Sequence, residues 1–234
     1  MIVLGIEKKR RKVKLHRKRL ERKRQGKIVP FTLSNCPKKL RGIKNSYQYK
    51  INVHKCCFND AEFNRVRYRA GHITYSYFRR SNFNNVDFIF VNLKKTNFEG
   101  AKFNRVVFNG CNLENVNFDE AIFVDTYFIN CKIDAKLKEK LSKKAIVINV
   151  IDIDLSKELE NRILLASENK KLEKYHILTI NSKKANKAML QILLTKFTES
   201  QVIKFINKAT LKQRHQFFTL HDYMESLENY YQKC

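Results

Sequence analysis

The chain has 234 residues, 43% of them hydrophobic, which is enough for one or two domains with a buried core. Its formal net charge of +26, with 17 Phe, no Trp and only two Pro, departs from an ordinary globular composition. The longest apolar run, Ala145–Ile148, falls far short of the about 20 residues a helix needs to cross a bilayer, so no integral membrane segment is expected.

The first six residues are apolar but precede the cations, the reverse of a secretory leader, and no signal peptide is expected. Residues 1–27 form a basic arm that carries Lys8, Lys9, Arg10, Arg11, Lys12, Lys14, Arg17, Lys18, Arg19, Arg22, Lys23 and Arg24 against Glu7 and Glu21. Self-repulsion predicts disorder or a frayed helix here, because Val13, Leu15 and Leu20 are too sparse for a full apolar stripe. A charge run is often a solvated face, but this density points to an anionic partner. Residues 28–55 hold both prolines, Pro30 and Pro37, and read as linker and N-terminal cap. Within them Ile51-Asn52-Val53 is a degenerate start of the pattern that follows.

From residue 56 to residue 135 the sequence repeats every five residues. Large apolar residues recur at Phe58, Phe63, Tyr68, Ile73, Phe78, Phe83, Phe88, Leu93, Phe98, Phe103, Phe108, Leu113, Phe118, Phe123, Phe128 and Ile133. Two positions before each stands a small or β-branched residue, from Cys56, Ala61 and Val66 through to Thr126 and Cys131. Neither a helix nor a strand sustains a period of five. Segments such as Ala101–Arg105, Cys111–Asn115 and Val116–Glu120 resemble the pentapeptide-repeat family, whose pattern is A(D/N)LXX. The resemblance implies a right-handed quadrilateral β-helix with four five-residue sides per turn, hence about four coils. It also implies that the central residue and the one two before it point inward. A superperiod of 20 supports this independently, since Phe58, Phe78, Phe98 and Phe118 form one column, and Phe63, Phe83, Phe103 and Phe123 another. Tyr68, Phe88, Phe108 and Phe128 form a third, while Ile73, Leu93, Leu113 and Ile133 make an aliphatic fourth. Outside, Asn64, Asn84 and Asn104 should stack as a ladder. Cys111 and Cys131 share an inward column, where free thiols are expected rather than a disulfide.

The last coil turns apolar on its outside at Ile122, Val124, Tyr127 and Ile129, so following elements should cover it. Residues 136–234 read as a helical domain. Asp134 and Ser156 are candidate N-caps, Ser182 another, and Thr198–Gln201 reads as a capping box. The final helix would carry Phe217, Phe218, Tyr223 and Leu227. In the family such C-terminal helices sometimes form a dimer interface, so a homodimer stands beside packing within the chain.

Six cysteines without a CxxC pair are expected to be reduced thiols of a cytoplasmic protein, and the nearest metal-like cluster, His54-Lys55-Cys56-Cys57, lacks ligand spacing. Nucleotide-binding, hydrolase and zinc-protease motifs are absent, and a side-chain-filled interior leaves no substrate cavity, so neither an enzyme nor a cofactor is expected. The best-known branch of the resembled family imitates DNA with an acidic rod. This rod has a net charge of only +1 and basic flanks, so that role is not expected. Its first coils are the cationic end, with Arg65, Arg67, Arg69, Arg79 and Arg80. The leading expectation is therefore a non-enzymatic scaffold that binds DNA or RNA phosphates through the arm and these five arginines. The alternative is a protein-docking scaffold or regulatory subunit whose arm and helical tail bind acidic protein partners.

Overall fold

The computed structural model describes residues 13–14, 17, 20–22, 24–25, 31–149, 151–169, 175–181, 183–212 and 217–232. Its centre is a stack of parallel strands, β1 (Thr32–Lys39), β2 (Lys44–Tyr49), β3 (Asn52–Cys57), β4 (Glu62–Arg69), β5 (His72–Thr74), β6 (Asn82–Ile89), β7 (Lys102–Asn109) and β8 (Ile122–Ile129). Each strand pairs with the chain one turn later at an offset of 20 residues, as in Phe63↔Phe83, Phe83↔Phe103 and Phe103↔Phe123. From Asn45 to Asn130 every fifth residue is left-handed, with φ between 46° and 65°. Those residues are the corners: each turns the chain by one side of the square and returns the next central residue to the interior.

The interior is packed as the column pattern requires. Ring centroids within a column lie 4.9, 5.2 and 5.3 Å apart along Phe58, Phe78, Phe98 and Phe118, and 4.7, 4.9 and 5.1 Å along Phe63, Phe83, Phe103 and Phe123. These spacings follow from the strand separation of about 4.8 Å. Rings of neighbouring columns meet edge-on or tilted, as Phe98 does on Phe103 at 69°. Each fully buried ring contributes about 1.5–3 kcal/mol by leaving water. On the outside Asn64, Asn84 and Asn104 stand in register, and Asn104 Nδ2 donates to Asn84 Oδ1 at 3.2 Å as one rung of the expected ladder. Cys111 and Cys131 are free and donate to the carbonyls of Phe88 and Phe108.

The solenoid is longer than the four coils expected. One face stacks six strands in the order β2-β4-β6-β7-β8-β9, where β9 is Ile146–Ile148. At the start, Thr32↔Asn52 and Lys44↔Asn64 already obey the offset, so much of residues 28–55 is a coil rather than an irregular cap. It is hidden in the sequence because Lys38 and Gln48 occupy slots that later coils fill with aromatic rings. At the far end β9 (Ile146–Ile148) pairs with Tyr127–Ile129 as a last rung.

Between them α1 (Ala135–Ser142) is capped by Asp134, whose carboxylate accepts from Leu137 N at 2.8 Å, and its Leu141 closes the end of the core. Beyond lie α2 (Lys157–Ala166), a hairpin of β10 (Thr179–Asn181) and β11 (Lys184–Ala185), α3 (Lys187–Leu193), α4 (Glu199–Lys212) and α5 (Leu220–Gln232). Ser156 caps α2, and Thr198 and Gln201 bond reciprocally at 2.8 and 3.3 Å as a capping box. Ser182 lies outside the described residues. Asn186 caps α3 instead, because the hairpin occupies the residues before it. Phe217 and Phe218 precede the last helix rather than riding on it.

Candidate docking surface

The helical elements pack on the side of the rod, over one long face. Two outward columns make that face, Arg67, Asp87, Val107, Tyr127 and Arg69, Ile89, Asn109, Ile129. Ile89, Val107, Tyr127 and Ile129 join one core with Leu159, Ile163, Met189, Phe205 and Leu227 from the helices. Tyr127 and Ile129 are thus covered as expected, while Ile122 and Val124 stay half exposed beside them. The apolar stripes of α2, α3, α4 and α5 are used on this face and on one another.

Toward the first coils the same face turns from apolar to charged, and three arginines hold the helical elements. Arg67 is fully buried, ion-paired with the equally buried Asp87, and donates to the His176 carbonyl at 2.8 Å. Asp87 also accepts from Leu220 N at 3.0 Å, so one carboxylate ties two coils to the start of α5. Burial pushes the Asp87 carboxyl up to about 6, against the opposing pull of the Arg67 guanidinium and the Leu220 N–H. Arg69 donates to the Ile180 carbonyl at 2.8 Å. Arg65 donates to Asp222 Oδ1 at 2.8 Å and lies over the Phe218 ring, and Asp222 Oδ2 accepts from Phe218 N and Thr219 N. An aromatic series, Tyr49, Tyr47, Tyr175 and Phe218, continues the contact to the first coil at centroid spacings of 6.3, 4.8 and 5.0 Å.

Each of the five coil arginines is engaged with a partner within the described residues. Arg67 has no exposure to offer a phosphate. Arg65 and Arg69 reach the helical elements. Arg79 pairs with Glu99 at 2.6 Å and Arg80 with Asp60 at 2.8 Å, each bridging adjacent coils. The physical reason is the offset of 20, which sets an anion beside a cation along the axis. Of the arm, Lys14, Arg17, Arg22 and Arg24 are helical and exposed. Lys8, Lys9, Arg10, Arg11, Lys12, Lys18, Arg19 and Lys23 lie outside the described residues. Sequence reasoning missed Asp87, His176, Ile180 and Asp222 as the partners. One signal was available: a column running Arg67, Asp87, Val107, Tyr127 passes from an ion pair to apolar residues, which marks a covered face.

Among the described residues no group of three or more His, Cys, Asp or Glu is placed to hold a metal ion, and no helix is long and apolar enough to cross a membrane. A family model, pentapeptide repeats (9 copies), matches residues 91–132. No curated protein matches the sequence. Among solved structures, the chain is similar to a pentapeptide repeat protein (Rfr23) from the cyanobacterium Cyanothece 51142, with 11% identity over 42% of this chain and 84% of that one, TM-score 0.22. It is also similar to a trypsin-treated form of QnrB1, a plasmid-mediated fluoroquinolone resistance protein, with 13% identity over 44% of this chain and 55% of that one, TM-score 0.21. The pentapeptide-repeat model thus falls on the central coils of the β-solenoid, where the left-handed corners recur every five residues and each turn takes 20.

Proposed function

We propose that the protein is a non-enzymatic docking scaffold, in which a rigid solenoid carries the helical elements on one side and its basic arm engages an acidic protein surface. The observation that supports this reading is the use of Arg65, Arg67 and Arg69 to hold the elements packed on the rod. The arm adds exposed positive charge at Lys14, Arg17, Arg22 and Arg24 among the described residues, and the densest run of cations in the sequence lies there. The reduced thiols suit a reducing, cytoplasmic setting.

The net charge of +26 favours a second reading, phosphate-directed binding of DNA or RNA by the same arm. Both are tested on nuclease-treated full-length protein and on a chain starting at Ile28. Docking to protein predicts co-purifying acidic proteins that depend on the arm, with little mobility shift of generic DNA or RNA. A steeply salt-sensitive shift of either polymer, lost on truncation and without protein partners, would overturn the scaffold reading in favour of the second.

A further inference from the structure

The first coil leaves the N-terminal end of the solenoid partly unfilled. A cavity of about 200 Å³ opens there, its walls almost wholly apolar and including Phe58, Phe63 and Phe78. The cause lies in the sequence. Gln48 pairs in register with Tyr68 and takes the slot that continues the column of Tyr68, Phe88, Phe108 and Phe128. Where Phe58 would need a ring beneath it, the chain has Lys38, and the register of β1 on β3 breaks between Cys36 and Lys39. Two missing rings make the void.

Polar groups meet at this cavity in a way the core does not require. Tyr68 lines it and is 5% exposed. Arg41, also lining the cavity, is exposed and has no ion pair among the described residues, unlike Arg65, Arg67, Arg79 and Arg80. Gln48 donates to Ser46 Oγ at 2.7 Å through its amide nitrogen. The cavity thus offers an apolar floor, a phenol O–H and a guanidinium without an ion pair among the described residues.

From this geometry we infer that the N-terminal mouth of the solenoid is a binding site for a small amphiphilic monocarboxylate, with its apolar body among Phe58, Phe63 and Phe78 and its carboxylate met by Arg41 and the Tyr68 hydroxyl. The size fits a single ring or a short acyl chain, since an engineered apolar cavity of about 150 Å³ admits benzene. A carboxylate takes two donors, and a guanidinium beside an O–H supplies them.

The test titrates the full chain with octanoate and, separately, with 1-octanol by calorimetry. The expected result is saturable binding of one octanoate per chain, with 1-octanol weaker. Gln48→Phe restores the aromatic column, fills the void and should abolish binding of both probes while the protein unfolds at the same or a higher temperature. Arg41→Ala should weaken octanoate at least about tenfold and leave 1-octanol within about threefold, as expected for loss of a charge-assisted contact. Tyr68→Phe should weaken both probes. Absence of saturable octanoate binding to the full chain overturns the site, and so does binding that survives Gln48→Phe. Equal loss of both probes in Arg41→Ala overturns the assignment of the carboxylate.

Discussion

Arg67 shows how a charge that looks available in sequence can be committed in structure. It satisfies Asp87 and the His176 carbonyl, yet its own Nε and Asp87 Oδ1 have no partner among the described residues. A buried pair of this kind fixes geometry more than it stabilises. Arg67→Ala should therefore destabilise the protein by about 3–5 kcal/mol, by stranding a carboxylate, whereas the double change Arg67→Met with Asp87→Leu should recover most of that in denaturant unfolding. A double variant as unstable as the single one would contradict the assignment. His221 provides a second test. Both ring nitrogens are buried without a hydrogen-bond partner among the described residues, and burial holds its pKa down at about 4, with Asp125 opposing and Lys196 and Arg105 adding to the fall. The unfolded chain thus binds a proton near pH 6.5 that the folded chain refuses, so this residue's contribution to stability is present above pH 6.5 and is lost as pH falls toward 4. The cost at pH 4 is on the order of 2–3 kcal/mol. Asp87 acts oppositely: raised to about 6, it contributes stability at low pH that is lost as pH rises through 6. In thermal unfolding from pH 7 to pH 4, His221→Phe should flatten the decline relative to the native chain.

Strands and corners were the legible part of this sequence, because two coupled positions at a fixed period leave little freedom. The columns, the Asn ladder and three of the helix starts follow from that pattern and from capping chemistry. The first coil was not legible, since Lys38, Gln48 and Arg41 put polar residues in inward slots. Its identity rests instead on close approach of backbone to backbone. Gly42 sits against the next coil so tightly that an added Cβ would lie 1.5 Å from the Glu62 carbonyl oxygen. Gly42→Ala should force β2 away from β4, costing about 1–3 kcal/mol locally. In hydrogen exchange, amides of β1 and β2 should then lose protection while those of β6 and β7 keep it, because each coil contacts only its neighbours. Uniform loss across all coils would show that the first coil is not a separable unit.

The protein as assembled differs from its sequence image in where its parts meet. Sequence placed the following elements over the outward residues of the last coil; among the described residues α1 and β9 close the end of the core, and the remaining helices lie along the flank as far as Ile89 and Val107. Side-by-side packing was not legible because outward columns carry no fixed pattern; their chemistry shows only when residues 20 apart are read together. The same reading explains the near-neutral rod, whose cations and anions are paired between coils at Arg79 and Glu99, Arg80 and Asp60, and Lys94 and Glu114. Such half-exposed pairs contribute little individually, and salt weakens them further. Raising salt from low to high should therefore release an arm-dependent partner while hardly changing the unfolding temperature. Parallel loss of partner and fold would place the arm's contact within the core assembly.

The left-handed corner at every fifth residue gives this fold something like a reading frame. Any insertion or deletion that is not a multiple of five passes each later residue to the wrong slot. Removing Asn85, for example, would present Asp87 and Ile89 to the inward places now held by Val86 and Phe88. A change of five keeps residues inside or outside but moves them to a different side of the square. Only a change of 20 preserves both, and it would slide the helical elements one strand spacing, about 4.8 Å, along their seat. Length variation in such a chain is therefore quantised, in a way that loops of other folds are not.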